Sequence, residues 1–525
     1  MIKNIYKSVV LAALLFSAGG CDDNFEEINT NPIQPITLNP EYLFSEAQRT
    51  SAVNTLTYQA PIVQQVQIPY SGNPSGGNLN VVNETNTTPI FNNLYTLSIR
   101  NLEDIINQTQ DDPTRSNLYN MARIWRAYCF QFLVDTYGDV PYTQAGKAWL
   151  EGVQLPEYEE SAVIYEDILK EYQQATDALD PNGDIVQGDL FYQGDISQWK
   201  KLGNSLLLRA GMRYTEINEG KAQQVVSIAV DPARGGVISS NEDNAYVPYS
   251  DIFTHPLSSQ LLATERHNYY VGAPFVDFLK ATDDPRLKYI AVKYEDPVKP
   301  LATAGAENTN PEDQQGMPYG YDETNIATAP GFPGKIGSAF AYSQLNRRTV
   351  LRLDRPEFIV TYAQTSLLLA EAAHRGYIPG GEAVAQEYYE TGIAAHMEQM
   401  EAYSGTTESS TIDITSEQVA AYLAQPEVAY DPARALEQIN EQYWVASFLQ
   451  FQEAWANLRR TEYPNLEPIN YPGQDPSVNA TGGGFIRRLT YPLRERSVNT
   501  ANVDVAIARM GGNTLGNPVF WDVVQ

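Results

Sequence analysis

The sequence predicts a predominantly α fold. Three observations carry that expectation. Apolar residues recur at three- and four-residue spacing in six segments, several of those segments come in pairs, and the stretches between them are long and rich in Pro, Gly, Asn and Tyr. Apolar residues make up 43% of the 525 positions, enough for a sizeable core and too many for a disordered chain.

The first element is a leader. Lys3 and Lys7 precede the apolar run Val9–Phe16, and the small residues Ser17, Ala18, Gly19 and Gly20 lead directly to Cys21. The run is too short to span a bilayer and reads as a secretory signal, residues 1–20. Small residues directly before a cysteine resemble a bacterial lipobox, although Ala18 stands where Leu is usual, and they make Cys21 the expected lipid anchor. Residues 21–40 follow as an acidic, Pro- and Asn-rich tether. No later segment has an uncharged apolar run of about 20 residues, so the chain is expected to be anchored to a membrane rather than to cross it.

The helices come next. Leu118, Met121, Ala122, Trp125, Cys129, Phe132, Leu133 and Thr136 form one stripe, with Ser116 placed to cap its start and Gly138 to end it. The stripe accounts for Cys129 as a core residue. A second helix runs from about Ser161, with Tyr165, Ile168, Leu169, Tyr172, Ala175 and Leu179 on one face. A third starts at Ser197 and carries Trp199, Leu202, Leu206 and Ala210. A fourth carries Ile359, Tyr362, Ala363, Ser366, Leu369, Ala370 and Ala373. A fifth follows Gly381, with Ala385, Tyr388, Tyr389, Ile393 and Met397. A sixth spans about 433–460 and holds Leu436, Ile439, Tyr443, Ala446 and Leu449. Pairs of helices rich in Ala and Tyr resemble tetratricopeptide-like helical hairpins, without the strict 34-residue consensus. The scaffold is expected mainly over 98–220 and 357–460, and the irregular stretches over 64–95, 240–350 and 461–525.

Composition excludes several functions. With 64 acidic against 35 basic residues the chain carries −29, which argues against nucleic-acid binding. Two cysteines and four scattered histidines make neither a disulfide scaffold nor a zinc motif. Gly331, Gly334 and Gly337 lack Walker spacing and read as a flexible loop. Asp180, Asn182 and Asp184 have calcium-loop spacing, but Ile185 and Phe191 stand where Gly and Glu are needed, so a helix-to-helix turn is the better account. No nucleophile elbow occurs. Arg459, Arg460, Arg487, Arg488, Arg494 and Arg496 form a basic island. It reads as ion pairs that bind the C-terminal segment to the helical core, with an anion site as the alternative.

The loop aromatics are the stronger functional signal. Among 34 Tyr, the irregular stretches hold Tyr70 in IPYSGNP, Tyr269 and Tyr270 in ERHNYYVGAP, and Tyr319 and Tyr321 in GMPYGYDE. A flat ring stacks on the apolar face of a sugar while amides and guanidiniums bond its hydroxyls. The candidate ligand-binding residues are therefore Tyr70, Asn73, Arg266, Tyr269, Tyr270, Tyr319 and Tyr321. Packing of each ring onto the core is the competing account.

Several segments resemble the SusD/RagB family of outer-membrane nutrient-binding lipoproteins, in particular its SusD-like branch. They are CDDNFEEINTNP, YGDVPYTQA (Tyr137–Ala145), DISQWKKLGNSLLLRAGMRY (Asp195–Tyr214), FIVTYAQTSLLLAEAAHRG (Phe358–Gly376), EAWANLRRTEYPNL (Glu453–Leu466) and RRLTYPLRERSVN (Arg487–Asn499). Gln364 stands where that family usually has Glu. The acidic tract after Cys21 is similar to a Bacteroidetes surface-export signal.

The resemblance implies one SusD-like domain over 41–525, lipid-anchored at the outer membrane and facing the cell exterior. It implies capture of oligosaccharide, or of oligopeptide as in RagB-like members, and delivery to a SusC-like TonB-dependent transporter without catalysis. No cofactor is implied, and a structural calcium ion stays open. A helical-toroid glycoside hydrolase is the enzyme alternative.

Overall fold

The computed structural model describes residues 38–72 and 76–524. The leader, Cys21, the acidic tract and Asn73 lie outside them. Fourteen helices carry the description: α1 Pro40–Ser51, α2 Glu84–Asn93, α3 Arg100–Thr109, α4 Ser116–Tyr137, α5 Ser161–Ala178, α6 Ile196–Met212, α7 Glu219–Ala229, α8 Pro256–Ala263, α9 Ala273–Ala281, α10 Tyr362–His374, α11 Gly381–Gln399, α12 Ala435–Ala446, α13 Phe451–Thr461 and α14 Thr500–Arg509. The fold is predominantly α, as expected. None of the described helices is long and apolar enough to cross a membrane.

Consecutive helices pack as hairpins: α3 on α4, α4 on α5, α5 on α6, α6 on α7, and α10 on α11. Small residues set the close approaches. A Cβ at Gly203 of α6 would fall 2.0 Å from Thr176 Oγ1 of α5, and one at Gly392 of α11 would fall 2.7 Å from Leu367 of α10. The apolar stripes face inward as their spacing requires, with Trp125, Cys129, Tyr165, Tyr172, Trp199, Leu206 and Ile393 all buried. Asp195 caps α6, accepting from the backbone amides of Ser197 and Gln198 at 2.8 and 3.2 Å.

Three expectations are corrected. Ser116 is the first residue of α4 and not its cap. The amides of Asn117 and Leu118 donate instead to the Asp184 carboxylate, at 2.7 and 3.2 Å. The Asp180–Asp184 turn thus spends its acid on a neighbouring helix. Ile359 belongs to a strand, Glu357–Val360, which pairs with Ala245–Val247, and α10 begins only after Thr361, whose hydroxyl caps Gln364 N. The sixth segment is two helices, broken at Leu449 with φ 71°. The break lets Trp444 Nε1 donate to Val63 O and Trp455 Nε1 to Ile486 O, each at 3.0 Å, in different parts of the core.

The irregular stretches also hold short regular elements. Five strands form one antiparallel sheet: β1 Val66–Gln67, β2 Tyr270–Val271, β3 Ala291–Tyr294, β4 Glu307–Asn308 and β5 Gln344–Leu345, in spatial order β1-β2-β5-β3-β4. Gln67 lies opposite Tyr270, and Gln344 lies opposite both Tyr270 and Val292. The glycine-rich segment expected to be a flexible loop is a hairpin, Lys335–Ile336 on Ala339–Phe340. Residues Pro40–Gln525 form one compact unit.

The basic island is structural. Arg460 makes two 2.6 Å bonds to Glu371, Arg459 donates to Asp135 O and Arg487 O at 2.7 Å, and Arg487 pairs with Asp522 at 3.0 Å. Arg488 donates to Tyr137 O at 3.0 Å and Arg496 pairs with Glu84 at 2.5 Å, whereas Arg494 is exposed. Guanidiniums thereby hold the C-terminal segment to α4, α13 and the start of α2, and α13 to α10.

Candidate ligand-binding face

The three long irregular stretches meet at one place. Ser71, from the first, donates its amide and hydroxyl to Glu323 of the second, at 2.7 and 2.9 Å. Tyr471, from the third, donates to Asp322 at 2.6 Å. Gly320 N donates to Asn78 O at 3.1 Å, and Asp475 N to Asn80 O at 2.8 Å. Burial pushes the Asp322 carboxyl up, but hydrogen bonds from Thr324, Tyr471 and the amides of Thr324 and Asn325 outweigh it and hold it below the usual range. Asp322 is therefore ionised and knots two stretches together.

At this junction lies an aromatic cluster separate from the main core. Tyr270, Phe340, Tyr342, Met317 and Ile326 are buried in it, and Tyr70, Tyr321 and Phe332 pack against it while staying partly exposed. Tyr70 is 6.4 Å from Phe340 by ring centroids, and Phe332 is 6.3 Å from both Phe340 and Tyr342. The Lys335 ammonium sits 5.0 Å over the Phe340 ring. Tyr270 Oη accepts from Phe340 N at 3.0 Å and is hydrogen-bonded to Tyr70. Burial raises the Tyr70 and Tyr270 hydroxyls and pushes that of Tyr342 up to about 12. These phenols stay neutral at physiological pH and keep their protons for donation. The buried Tyr342 hydroxyl has no hydrogen-bond partner.

The candidate residues divide. Tyr70, Tyr270 and Tyr321 come together in the cluster, with Tyr270 fully buried as its floor. Tyr269 turns the other way into the main core, where it is 5% exposed and bonded to Thr57. This corrects its placement on a ligand face: neighbouring residues at a strand point to opposite sides. Tyr319 is half-buried, and burial followed by the nearby Glu467 charge raises its hydroxyl. Arg266 lies beside Arg347, which donates to its carbonyl at 2.9 Å, and the Arg266 Nε is buried without a partner. Sequence reasoning missed Phe332, Lys335, Phe340, Tyr342 and Tyr471. The glycines of GFPGKIGSAFAY give it the pattern of a flexible loop, which hides its aromatics as a signal.

A model of the SusD-like family described as starch-binding and associating with the outer membrane matches residues 30–492. The chain belongs to this SusD-like family. No curated protein matches it. Among solved structures, a chitin-binding protein is similar at 30% identity and TM-score 0.75, covering 93% of this chain and 100% of its own. A Bacteroidetes SusD-like protein is similar at 25% identity and TM-score 0.75, with the same coverage. A chitin-binding SusD homologue from Flavobacterium johnsoniae shares the fold at 20% identity and TM-score 0.74, covering 93% of this chain and 99% of its own. The helical hairpins are thus the scaffold of a SusD-like protein.

Proposed function

We propose that this SusD-like chain captures oligosaccharide at the cell surface and passes it to a SusC-like TonB-dependent transporter, without catalysis. The observation that carries the reading is the convergence of three loop stretches on one partly exposed aromatic cluster, in a chain whose family is described as starch-binding. The 30%-identical chitin-binding relative adds support for a glycan. Tyr70, Tyr321 and Phe332 offer ring faces to a pyranose, and the neighbouring Glu323 and Lys335 offer an acceptor and a donor for hydroxyls. Tyr319 belongs to the same proposed face. Anchoring through acylated Cys21 would hold this face outside the outer membrane.

Isothermal titration of the mature chain with chitohexaose, maltohexaose and a panel of oligopeptides tests the reading. A glycan should bind, and Tyr70→Ala and Tyr321→Ala should weaken it about tenfold, equal to about 1.4 kcal/mol. Preference for peptide, unchanged affinity in both variants, or new reducing ends on long incubation would each overturn it. Co-purification with an outer-membrane barrel tests the delivery step, and loss of the membrane fraction in Cys21→Ala tests the anchor.

A further inference from the structure

A second aromatic surface stands on the ribbon formed by Ala245–Val247 and Glu357–Val360. Tyr246 lies opposite Phe358 in its register, with the rings 5.4 Å apart and tilted by 56°. Ala245, Val247 and Phe358 are buried, while Tyr246 is 36% exposed. Alternation along Ala245–Val247 turns this ring away from its two buried neighbours, and the Phe358 ring on the same face backs it. It borders a groove of about 410 Å³, lined also by Asn241, Asn244, Asp354, Glu398 and Gln399. None of these residues belongs to the loop cluster.

The lining mixes apolar residues, among them Pro248, Tyr249 and Pro356, with oriented polar groups. Gln399 is 4% exposed, and its side-chain oxygen has no hydrogen-bond partner. A buried amide oxygen without a donor is unfavourable, and a sugar hydroxyl or acetamide N–H supplies one. Asn241 Nδ2 holds the Glu398 carboxylate at 2.8 Å, Asn244 Nδ2 donates to Asn241 Oδ1 at 3.1 Å, and Arg352 pairs with Asp354. Both carboxylates are fixed acceptors. The charged groups among the described lining residues are Asp354 and Glu398, both acidic, so an anionic sugar is disfavoured. An exposed ring beside hydrogen-bonded acceptors matches a neutral, hydroxyl-rich ligand.

We propose that this groove is a second carbohydrate subsite that takes one or two units of a neutral glycan, stacked on Tyr246. It shares a ligand class with the proposed function but none of its residues.

The test titrates the mature chain with chitohexaose, maltohexaose and cellohexaose, comparing wild type with Tyr246→Ala, Gln399→Leu and Tyr70→Ala. Tyr246→Ala and Gln399→Leu should each weaken one phase of binding at least fivefold, or remove one equivalent, with the melting temperature unchanged within about 2 °C. Gln399→Leu keeps the volume while deleting the acceptor, so it separates ligand contact from packing. Affinity and stoichiometry identical to wild type in both groove variants would overturn the subsite. So would binding to none of the three sugars. If Tyr70→Ala removes all binding and the groove variants none, the loop face stands and the groove falls. The reverse pattern keeps the groove and discards the loop face.

Discussion

The helical scaffold buries carboxylate–guanidinium pairs among its amides and hydroxyls, whereas the polar groups buried on the five strands of the loop sheet are amides and phenols. Glu371 is gripped by Arg460 through two 2.6 Å bonds and by Arg375 at 2.8 Å, and Glu453 by Arg213 at 2.7 Å and Tyr443 at 2.8 Å. Across the loop sheet, Gln67 and Tyr342 are buried with polar atoms that no protein group satisfies. A buried charge tolerates only its own partner, so ion pairs lock helices into one arrangement. A neutral amide or phenol loses less without a partner and accepts many kinds of donor or acceptor. The scaffold thus spends its strongest interactions on rigidity, and the loop face keeps adaptable groups.

The largest effect should come from breaking a scaffold pair. Glu371→Ala leaves the buried Arg460 guanidinium without its carboxylate and should cost roughly 3–5 kcal/mol in urea denaturation. Glu371→Gln, which keeps the shape and part of the bonding, should cost less. If Glu371→Ala costs no more than Tyr321→Ala, the contrast between the two regions fails.

The pH dependence sharpens the comparison within the scaffold. Burial raises the Glu371 carboxyl, but Arg460 and Arg375 outweigh it and hold it at about 2, from an ordinary 4.5. A depressed carboxyl stabilises the fold above the unfolded value, so about 3 kcal/mol should be lost as pH falls from about 4.5 through 2. Asp522 has the opposite sign: burial outweighs Arg487 and pushes it up to about 6 from 3.8. Its ionisation opposes folding above about pH 6, and that opposition fades as pH falls toward 4. Melting curves across pH 4–7 should therefore rise more toward acid in wild type than in Asp522→Asn.

Two loop tyrosines in different surroundings, Tyr269 and Tyr321, extend the contrast to the loops. Tyr269→Ala empties a site in the main core and should destabilise by about 3 kcal/mol in the same denaturation assay. Tyr321→Ala and Phe332→Ala truncate partly exposed rings and should cost under about 1 kcal/mol of stability. Their effect should appear in glycan titration. An equal stability loss at Tyr269 and Tyr321 would show that the loop cluster is a second core and not a surface.

Much of the scaffold was legible along the chain because a helix is a local structure. The stripes from Leu118 to Thr136 and from Tyr165 to Ala175 repeat every three or four residues, and their buried faces follow directly. The break at Leu449 was not legible, since Leu436–Leu449 keeps helical spacing and only the separate partners of Trp444 and Trp455 demand a turn. The sheet was illegible for a different reason. Its strands are two to four residues long and join positions 66, 270, 291, 307 and 344, so no single window carries a period. The candidate face was half legible: the Tyr-rich stretches were the right ones, but their spacing did not separate Tyr70 and Tyr321 from the buried Tyr269 and Tyr270.

The amino-acid order alone determined the helical class, the inward stripes and the family, because each rests on residues close together in the chain. Which tyrosines reach solvent, how three distant loops knot through Glu323 and Asp322, and where Gln399 meets Tyr246 were decided only by the tertiary structure. Those outcomes depend on which segments exclude water from one another, and that is a property of contacts between residues far apart in the chain.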